Sequence, residues 1–374
     1  CSSFSRARCR RRSWHSPSRG SSICWSSCSC RGGSGSRAGR RRVELARPSA
    51  EDAGTCTARE TTALRRFAED VRVGLGSSPK HLPCVYLYDA RGSELFDRIT
   101  RLPEYYLTQA ESEIIEAHAA RIADAARGPI HVVELGSGTS AKTVALLEAL
   151  VDANGSAIYR PIDVCADVLR ASAEVLTEAV PGVTVKPIRA RYIEGLERVD
   201  ADGEVLLLWL GSSIGNLERD RAAQFLSRLR GRLSPGDRLL IGFDLVKDVG
   251  VLAAAYNDSS GVTAEFNLNL LRRINRELGG DFELERFRHI AHWNPDHRRI
   301  EMYLESLEDQ RVTILNPGLT VEFSCGERVH TENSHKYTLG GIAALAEDAG
   351  LEIEERWLDS RKYFSLHSLR VPGL

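Results

Sequence analysis

Short apolar runs alternate with helical periodicity over the central part of the chain. The runs have the length of strands: HVVEL (131–135), AIYRPIDV (157–164), VTVKPIRA (183–190), VLLLWLG (205–211) and RLLIGFD (238–244). Between them, apolar residues recur three and four positions apart, as in CADVLRASAEVLTEA and RDRAAQFLSRLRGRL. Because most positions of the runs are apolar, we expect strands that are covered on both faces. The pattern predicts an α/β fold in which helices pack on both sides of a parallel sheet.

The segments on either side of this alternation have a different pattern. Before it, TTALRRFAEDVRVGL and AESEIIEAHAARIADAA have helical periodicity, and the stretch between them, YLYDARGSELFDRITRLPEYYLT, is interpreted as rich in loops. After it, residues 246–335 are interpreted as two helices followed by strands and turns. A helix, LGGIAALAEDAG, and two apolar runs, LEIEERWLD and YFSLHSLRV, come last. Five βα units followed by a helix and a hairpin resemble the seven-stranded sheet of class I (Rossmann-like) methyltransferases, with 246–335 as an inserted α+β segment.

The first 57 residues differ from the rest in composition. They contain 12 arginines, no lysine and three acids, so they carry a formal charge of about +9, whereas the whole chain carries −1. No apolar periodicity is present to offset the entropy of ordering this Ser- and Arg-rich sequence. Residues 1–57 are therefore expected to be a disordered leader or a non-native extension. A transit peptide or a zinc site at Cys24, Cys28 and Cys30 is disfavoured, because neither the amphipathicity nor the ligand spacing fits.

The composition of the whole chain limits its class. The 374 residues are 42% hydrophobic and 27% charged, which is enough to bury a large core. No stretch approaches the roughly 18 consecutive apolar residues of a transmembrane helix. Cys84, Cys165 and Cys325 are scattered, as is typical of reduced thiols. We expect a cytoplasmic monomer that binds neither nucleic acid nor membrane.

One glycine-containing turn, VVELGSGTSAKT (132–143), has three interpretations. It is one residue away from a phosphate-binding P-loop, but Ala141 stands where that loop needs a glycine, and its Cβ would intrude on the phosphate. It also fits the looser dinucleotide-binding pattern, with Asp163 as the ribose acceptor. The third interpretation is the cofactor turn of an S-adenosylmethionine (SAM) methyltransferase, in which an acid such as Glu134 precedes the first glycine. The predicted C-terminal hairpin favours methyl transfer.

Longer motifs narrow the resemblance to one family. YLYDARGSELFDRITRLPEYYLTQAE closely resembles the opening signature of the histidine-specific methyltransferases of ergothioneine biosynthesis. The resemblance continues in order through VVELGSGTSAKT, YRPIDV, WLGSSIGN, AYNDSSGVTAEFNLNLLRRINRELGGDF, HWNPDHRRIEMYLE and TENSHKYT. It implies SAM-dependent Nα-trimethylation of L-histidine to hercynine. It also implies a substrate-binding domain (58–109 and 246–335) and a SAM-binding core (110–245 and 336–374), with the active site between them.

The resemblance also assigns roles to particular residues. The catalytic positions would be Tyr88, Asn216 and the backbone of Gly211, with Tyr88 and Gly211 orienting the amino nitrogen. The substrate-binding positions would be Tyr105, Asn216, Tyr256, Met302, Glu332 and Ser334. Among these, Asn216 and Tyr256 would hold the carboxylate, and Glu332 and Ser334 would bind the imidazole ring. The cofactor-binding positions would be Glu134, Gly136, Ser137, Gly138, Lys142, Asp163, Arg191 and Tyr192.

The chemistry of the implied reaction suits these residue types. The nucleophile is an amine with a pKa near ~7.7 to 8.0, part of which is already deprotonated at neutral pH, so no strong general base is needed. The main tasks are alignment of the amine with the methyl group and exclusion of water. Tyrosine hydroxyls and ring faces can accommodate the quaternary ammonium product without a buried carboxylate trapping it.

Three positions depart from the family pattern. Arg191 stands where the family usually has an aspartate that accepts a hydrogen bond from adenine, and a guanidinium cannot accept one. Leu107 and His335 are milder departures that we expect at the edge of the pocket. A catalytically weakened SAM- or amino-acid-binding paralogue is therefore an alternative, as is an N-methyltransferase for another aromatic amino acid. No metal is expected, because the nearby histidines His289 and His292 would point to opposite faces of a strand.

Overall fold

The structure is a computed structural model that describes residues 50–125 and 130–372. Most of the predicted leader, residues 1–49, lies outside the described residues. Residues 50–57, which composition assigned to the leader, are helical and begin the first helix. No helix in the described ranges is long and apolar enough to cross a membrane.

Ten α-helices and thirteen strands, numbered in chain order, are present in the described residues. The helices are α1 (Ala50–Leu75), α2 (Ala90–Ile99), α3 (Tyr106–Asp124), α4 (Val144–Asn154), α5 (Ala166–Ala179), α6 (Tyr192–Leu196), α7 (Arg219–Arg230), α8 (Val249–Tyr256), α9 (Val262–Leu278) and α10 (Leu339–Asp348). The strands are β1 (Ile130–Leu135), β2 (Ala157–Asp163), β3 (Val183–Val185), β4 (Ile188–Arg189), β5 (Glu204–Trp209), β6 (Arg238–Asp244), β7 (Phe287–Asn294), β8 (Arg299–Ser306), β9 (Gln310–Ile314), β10 (Leu319–Phe323), β11 (Arg328–His335), β12 (Glu352–Leu358) and β13 (Phe364–Arg370).

The main sheet has the strand order β12-β13-β6-β5-β1-β2-β3, with β4 also paired to β2. Strands β1 to β6 run parallel, whereas β13 is antiparallel to both β6 and β12. The predicted parallel sheet with its C-terminal hairpin is confirmed. The predicted third strand, 183–190, is wrong in one respect, because it is split into β3 and β4. Pro187 between the two pieces has no N–H to donate to a neighbouring strand.

Alternate residues of the central strands face two apolar clusters. Val132 of β1 and Leu206 of β5 pack on one face with residues of α3, α4 and α5. Val133 and Leu207 pack on the other face with residues of α6, α7 and α10. Since successive side chains of a strand point to opposite faces, one apolar strand serves both clusters. Helices therefore cover both faces of the sheet, as the pattern predicts.

The remaining elements share a third apolar cluster. It combines residues of α1 and α2 with residues of α8, α9 and two small antiparallel sheets, β11-β8-β7 and β10-β9. Helix α2 lies in the stretch that was expected to be rich in loops, and the sequence analysis missed it. Asp89 caps its first turn by accepting from Gly92 N at 2.7 Å, and Leu95 and Ile99 bury one face. The spacing of Leu95 and Ile99, four positions apart, is that of an amphipathic helix, and the cap begins it.

Strand β11 runs past the carboxyl end of β6. Tyr337 N donates to Asp244 O at 2.8 Å, and Val246 N donates to Tyr337 O at 2.9 Å. These two backbone bonds tie the residues that follow β11 to the edge of the main sheet at which α/β proteins bind ligands.

Gly242 on β6 is expected to tolerate no side chain. A Cβ there would overlap Glu111 Oε1 and lie 2.8 Å from the Phe364 ring. We expect Gly242→Ala to destabilise the fold by about 1 to 3 kcal/mol, the usual cost of overpacking, measured by urea unfolding. Gly340→Ala in α10 is the control, since a Cβ there meets nothing within 4 Å. Equal unfolding midpoints for both variants would contradict this account of β6.

Candidate active site

A cavity of about 520 Å³, including its opening to solvent, lies at the carboxyl edge of the main sheet. All eight predicted catalytic and substrate-binding residues line it: Tyr88, Tyr105, Gly211, Asn216, Tyr256, Met302, Glu332 and Ser334. Sequence reasoning missed several other lining residues, among them Phe96, Ile99, Ser213, Thr263 and Phe266. Their apolar or small polar side chains resemble ordinary core residues, and nothing in their spacing distinguishes them.

Strand β11 supplies the ring-recognition residues predicted for this cavity. Glu332 and Ser334 are two positions apart and therefore point to the same face of the strand. Between His330 and Glu332 the pairing with β8 shifts by one residue, which places Glu332 opposite Met302. Such a bulge changes the direction in which the following side chains point. Both side chains thereby line the cavity.

Glu332 is a buried acid without a full set of partners. Its side chain is only 8% exposed, and its Oε2 has no hydrogen-bond partner among the described residues. Burial raises the pKa of the carboxyl to about 7, against the opposing positive charge of Lys336. An unpaired acceptor of this kind favours a ligand that brings an N–H or O–H donor.

Aromatic side chains form much of the remaining wall. Tyr88 packs edge-on against Phe96 at 5.5 Å and Phe266 at 5.4 Å between ring centroids. Tyr105 packs similarly against Tyr256 at 6.3 Å. Burial raises the pKa of Tyr88, Tyr105 and Tyr256 well above the ordinary value of a phenol. These hydroxyls stay protonated at neutral pH, so the wall offers dipoles and ring faces and no phenolate.

Glu111 connects this cavity to the glycine turn and was missed from the sequence. It is fully buried, and both of its carboxylate oxygens accept from Gly211 N, at 2.8 and 3.0 Å. It also pairs with Lys142 of the turn. Its position in α3 beside the buried Ile114 and Ile115 is the signal that could have identified it, because an acid rarely occupies the apolar face of a helix.

The predicted cofactor turn has the geometry that its glycines require. Gly136 and Gly138 adopt positive φ angles of 68° and 52°. Asp163 at the end of β2 accepts from Gly138 N at 3.1 Å and from Cys165 N at 2.9 Å, which leaves further lone pairs free on its carboxylate. Ser137 Oγ is buried without a partner among the described residues, and the space beside Gly138 is open. The turn therefore fits a polar ligand such as the amino-acid half and ribose of SAM.

Glu134 lies beneath the turn. It accepts a hydrogen bond from Thr143 Oγ1 at 2.8 Å and another from the Tyr159 hydroxyl. Burial raises its pKa to about 7, although these two hydroxyls favour the charged form. Its contacts hold the turn against β2, and a direct contact with the cofactor stays a prediction.

The two residues at the start of α6 lie in different surroundings. The Tyr192 hydroxyl lies over the turn, 2.7 Å from where a Cβ on Gly136 would be. Arg191 lies near Tyr86. Burial raises the pKa of Tyr86 to about 12, and the neighbouring Asp70 raises it further, whereas the positive charge of Arg191 lowers it. The contribution of Arg191 to cofactor binding stays a prediction.

The remaining expectations about the site concern its edge and its histidines. Leu107 is buried in the apolar cluster of α1 and α2, and His335 is 1% exposed; neither lines the cavity, and an effect of either residue on it stays a prediction. His289 is hydrogen-bonded to Asn267 and to the backbone oxygen of Tyr256. No group of three or more potential metal ligands occurs within residues 50–125 and 130–372.

Comparisons with known proteins identify the family. Residues 67–371 match the family described as "Histidine-specific methyltransferase, SAM-dependent". This chain belongs to that family. A histidine N-alpha-methyltransferase of Mycolicibacterium smegmatis is 46% identical over 304 residues, which cover 81% of this chain and 94% of that protein. One of Mycobacterium tuberculosis is 45% identical over 325 residues, covering 87% and 98%.

A fungal relative extends the comparison to a named pathway. Ergothioneine biosynthesis protein 1 of Neurospora crassa is 34% identical over 302 residues, which cover 78% of this chain and 33% of that protein. The predictions of family, SAM as cofactor and methyltransferase activity are confirmed. For the turn at 132–143, the P-loop and dinucleotide interpretations are therefore discarded.

The buried carboxyl of Glu332 makes the stability of the methyltransferase depend on pH. Its pKa rises from 4.5 in the unfolded chain to about 7 on folding. The free energy of unfolding therefore falls as the pH rises from 4.5 to 7, because the unfolded chain ionises first, and the loss is constant above pH 7. We expect Glu332→Gln to be more stable than the wild type at pH 8, by up to on the order of 3 kcal/mol. At pH 4.5 the two proteins should be nearly equal.

Unfolding by urea at both pH values measures this difference. Glu305→Gln is the matched control, because its interactions with Arg328 and Arg288 lower the pKa of that carboxyl. This variant should lose stability at pH 8, the opposite sign to Glu332→Gln. Equal behaviour of the two variants would contradict the assignment of an unpaired buried carboxylate.

Asp163 is expected to contribute to SAM affinity. Asp163→Ala removes an acceptor from the ribose position and a support of Gly138 N, so SAM binding should weaken by about 1 to 3 kcal/mol. Isothermal titration measures the change. Asp167→Ala is the control, since this acid lies in the first turn of α5 and pairs with Arg170. A loss of affinity in Asp167→Ala as large as in Asp163→Ala would count against a specific contact.

Proposed function

We propose that this methyltransferase transfers three methyl groups from SAM to the α-amino nitrogen of L-histidine and forms hercynine, the first step of ergothioneine biosynthesis. The observation that carries the proposal is the unpaired Oε2 of Glu332 in the wall of an otherwise largely aromatic cavity. The names of the two mycobacterial relatives support the substrate and the position of methylation, and the name of the fungal relative supports the pathway.

The imidazole end of the substrate would lie against β11. A ring N–H can donate to the unpaired Glu332 oxygen, and Ser334 offers a hydroxyl to the other ring nitrogen. Met302 lies opposite Glu332 on β8 and supplies an apolar contact for the ring. An indole or phenyl ring presents fewer donors and would leave the carboxylate of Glu332 desolvated and unpaired, which disfavours these rings.

The amino end would lie near Tyr88 and Gly211. Gly211 N already donates to the Glu111 carboxylate. The backbone group of Gly211 that can contact a ligand is therefore its carbonyl oxygen. A carbonyl accepts from an amine N–H and therefore orients the nitrogen lone pair away from itself. The amide of Asn216 would donate to the substrate carboxylate. The Tyr256 hydroxyl also lines the cavity, and it bonds to Ser334 Oγ at 2.7 Å.

Positioning and charge account for the reaction. SAM, when bound at the turn, supplies a methyl group that is activated by its sulfonium centre. The chain aligns the amine and excludes water, while protonated Tyr88 and Tyr105 leave no anion that would hold the amine as ammonium. The first and second transfers each give an ammonium, which must release a proton to solvent through the cavity opening before the next transfer. The third gives a quaternary cation, which the rings of Tyr88, Phe96 and Phe266 accommodate.

Mass spectrometry tests the proposed function directly. The purified protein is incubated with SAM and each of the twenty amino acids. A mass gain of three methyl groups on histidine alone is the expected result, with fragments that locate them on the α-nitrogen. Methylation of tryptophan or phenylalanine in preference to histidine would favour the alternative of another aromatic substrate.

Glu332 is expected to determine the choice of substrate. Glu332→Gln keeps the shape of the side chain and removes its charge, so kcat/KM for histidine should fall by about 10- to 100-fold, the value of a hydrogen bond to a charged group. The rate with tryptophan should change little. Ser334→Ala should act in the same direction, and less strongly. Glu322→Gln on the exposed face of β10 is the control. An unchanged ratio of the two kcat/KM values would remove Glu332 from ring recognition.

A further inference from the structure

A fully buried lysine lies behind the amino-acid cavity. Lys336 follows β11 directly and shares the face of Glu332 and Ser334, since the three residues are two positions apart. Its Nζ donates to Ser334 Oγ at 2.7 Å and to Tyr256 Oη at 2.8 Å. It also lies 4.5 Å from the centroid of the Tyr256 ring. Lys336 therefore contacts two cavity residues from two different elements.

Asp244 compensates the charge of this lysine. The carboxylate is fully buried, and its Oδ2 lies 2.7 Å from Lys336 Nζ. The same carboxylate accepts from Tyr106 Oη at 2.8 Å and pairs with Lys247. A buried ammonium persists only when it is paired and hydrogen-bonded, and here three acceptors match its three hydrogens.

The hydrogen count of this cluster limits what it can offer a ligand. Lys336 donates to both Tyr256 and Ser334, so both hydroxyl oxygens act as acceptors toward it. The two hydroxyls also bond to each other at 2.7 Å, which uses one of their two hydrogens. One hydroxyl hydrogen is then left to point into the cavity, either from Ser334 or from Tyr256.

We propose that Lys336 is a positioning residue for the amino-acid substrate. Its ammonium holds Ser334 and Tyr256 so that the pair presents a single donor to the ligand, and it provides the positive charge that acts on Glu332. The inference rests on the proposed function, because it takes histidine as the ligand. A neutral imidazole, with one N–H for Glu332 and one lone pair for Ser334, matches this arrangement.

The charge of Lys336 also affects the ionisation of Glu332. Burial raises the pKa of Glu332, and Lys336 is the cation that opposes this shift. Removal of the ammonium should therefore raise the pKa of Glu332 further and leave it protonated at neutral pH. Other titratable groups face this pair. Asp244 and Lys247 lie within electrostatic range of Lys336, and Tyr106 lies beside Asp244. The groups that interact electrostatically with Glu332 are Cys84, Tyr88, Tyr105 and Tyr256.

The test compares two buried lysines that pair with the same aspartate. Lys336→Met and Lys336→Gln remove the charge next to the cavity. Lys247→Met removes the other lysine that pairs with Asp244, and the hydrogen bonds of Lys247 go to Tyr106, Asp244 and the backbone of Leu245. Loss of a structural ion pair is common to both sites. A specific effect on histidine is expected only for Lys336.

Three measurements on these variants separate positioning from folding. At saturating SAM, KM for histidine should rise about 10- to 100-fold in the Lys336 variants, as for hydrogen bonds from a charged donor. The Kd for SAM should be unchanged. Binding of Nα-trimethylhistidine, whose amine no longer titrates, should show its pH midpoint shifted upward by about one unit or more. Equal effects on histidine in Lys247→Met, or none in the Lys336 variants, would overturn the proposal.

The wild-type protein provides a test that does not depend on how the variants fold. The chain has six lysines, so 15Nζ-labelled lysine gives a simple NMR spectrum. Histidine should shift the Lys336 signal more than that of Lys247, and a response of Lys247 alone would overturn the inference. A wild-type protein that binds no histidine would refute the proposed function instead, which distinguishes the two failures.

Discussion

The attachment of β11 to the carboxyl end of β6 is the constraint on which the active site depends. Asp244 takes part in it twice, through its backbone oxygen to Tyr337 N and through its carboxylate to Lys336. Together with the hydrogen bond from Asn333 Nδ2 to Glu218 Oε1 at 2.8 Å, this junction holds the small antiparallel sheet that carries Glu332 and Ser334 against the core that carries the cofactor turn. With it, the groups for the ring and the groups for the amine line one cavity. Alignment within such a cavity is the main source of rate for a transfer between two bound molecules.

The charges around the cavity are distributed unevenly. Glu111 and Lys142 form an ion pair beside the glycine turn. Asp244 and Lys336 form another behind the cavity. In the cavity wall, Glu332 has a buried oxygen without a partner among the described residues, and burial raises its pKa. The folded protein therefore holds a destabilising carboxylate at the place where a ligand can supply a donor. Such a local cost to stability is common at binding sites.

Local features of the site could be predicted from the sequence. Gly136, Gly138 and Asp163 belong to one unit of strand β1, helix α4 and strand β2, and the geometry of its turn follows from local backbone requirements. The long motifs identified the family and, with it, all eight catalytic and substrate-binding positions that line the cavity. Helix α2 was missed, because its ten residues lie among glycine, proline and polar residues typical of loops, although Leu95 and Ile99 have helical spacing.

The sequence by itself determined the fold class, the cofactor turn and the family. Only the tertiary structure revealed how Glu111 and Lys336 act, since each depends on a partner far along the chain: Glu111 on Gly211, and Lys336 on Asp244 and Tyr256. Periodicity and turn-forming residues indicate interactions between residues that are close in the sequence. A buried charge is acceptable only where the fold brings a counter-charge within hydrogen-bond distance, and that pairing has no local pattern.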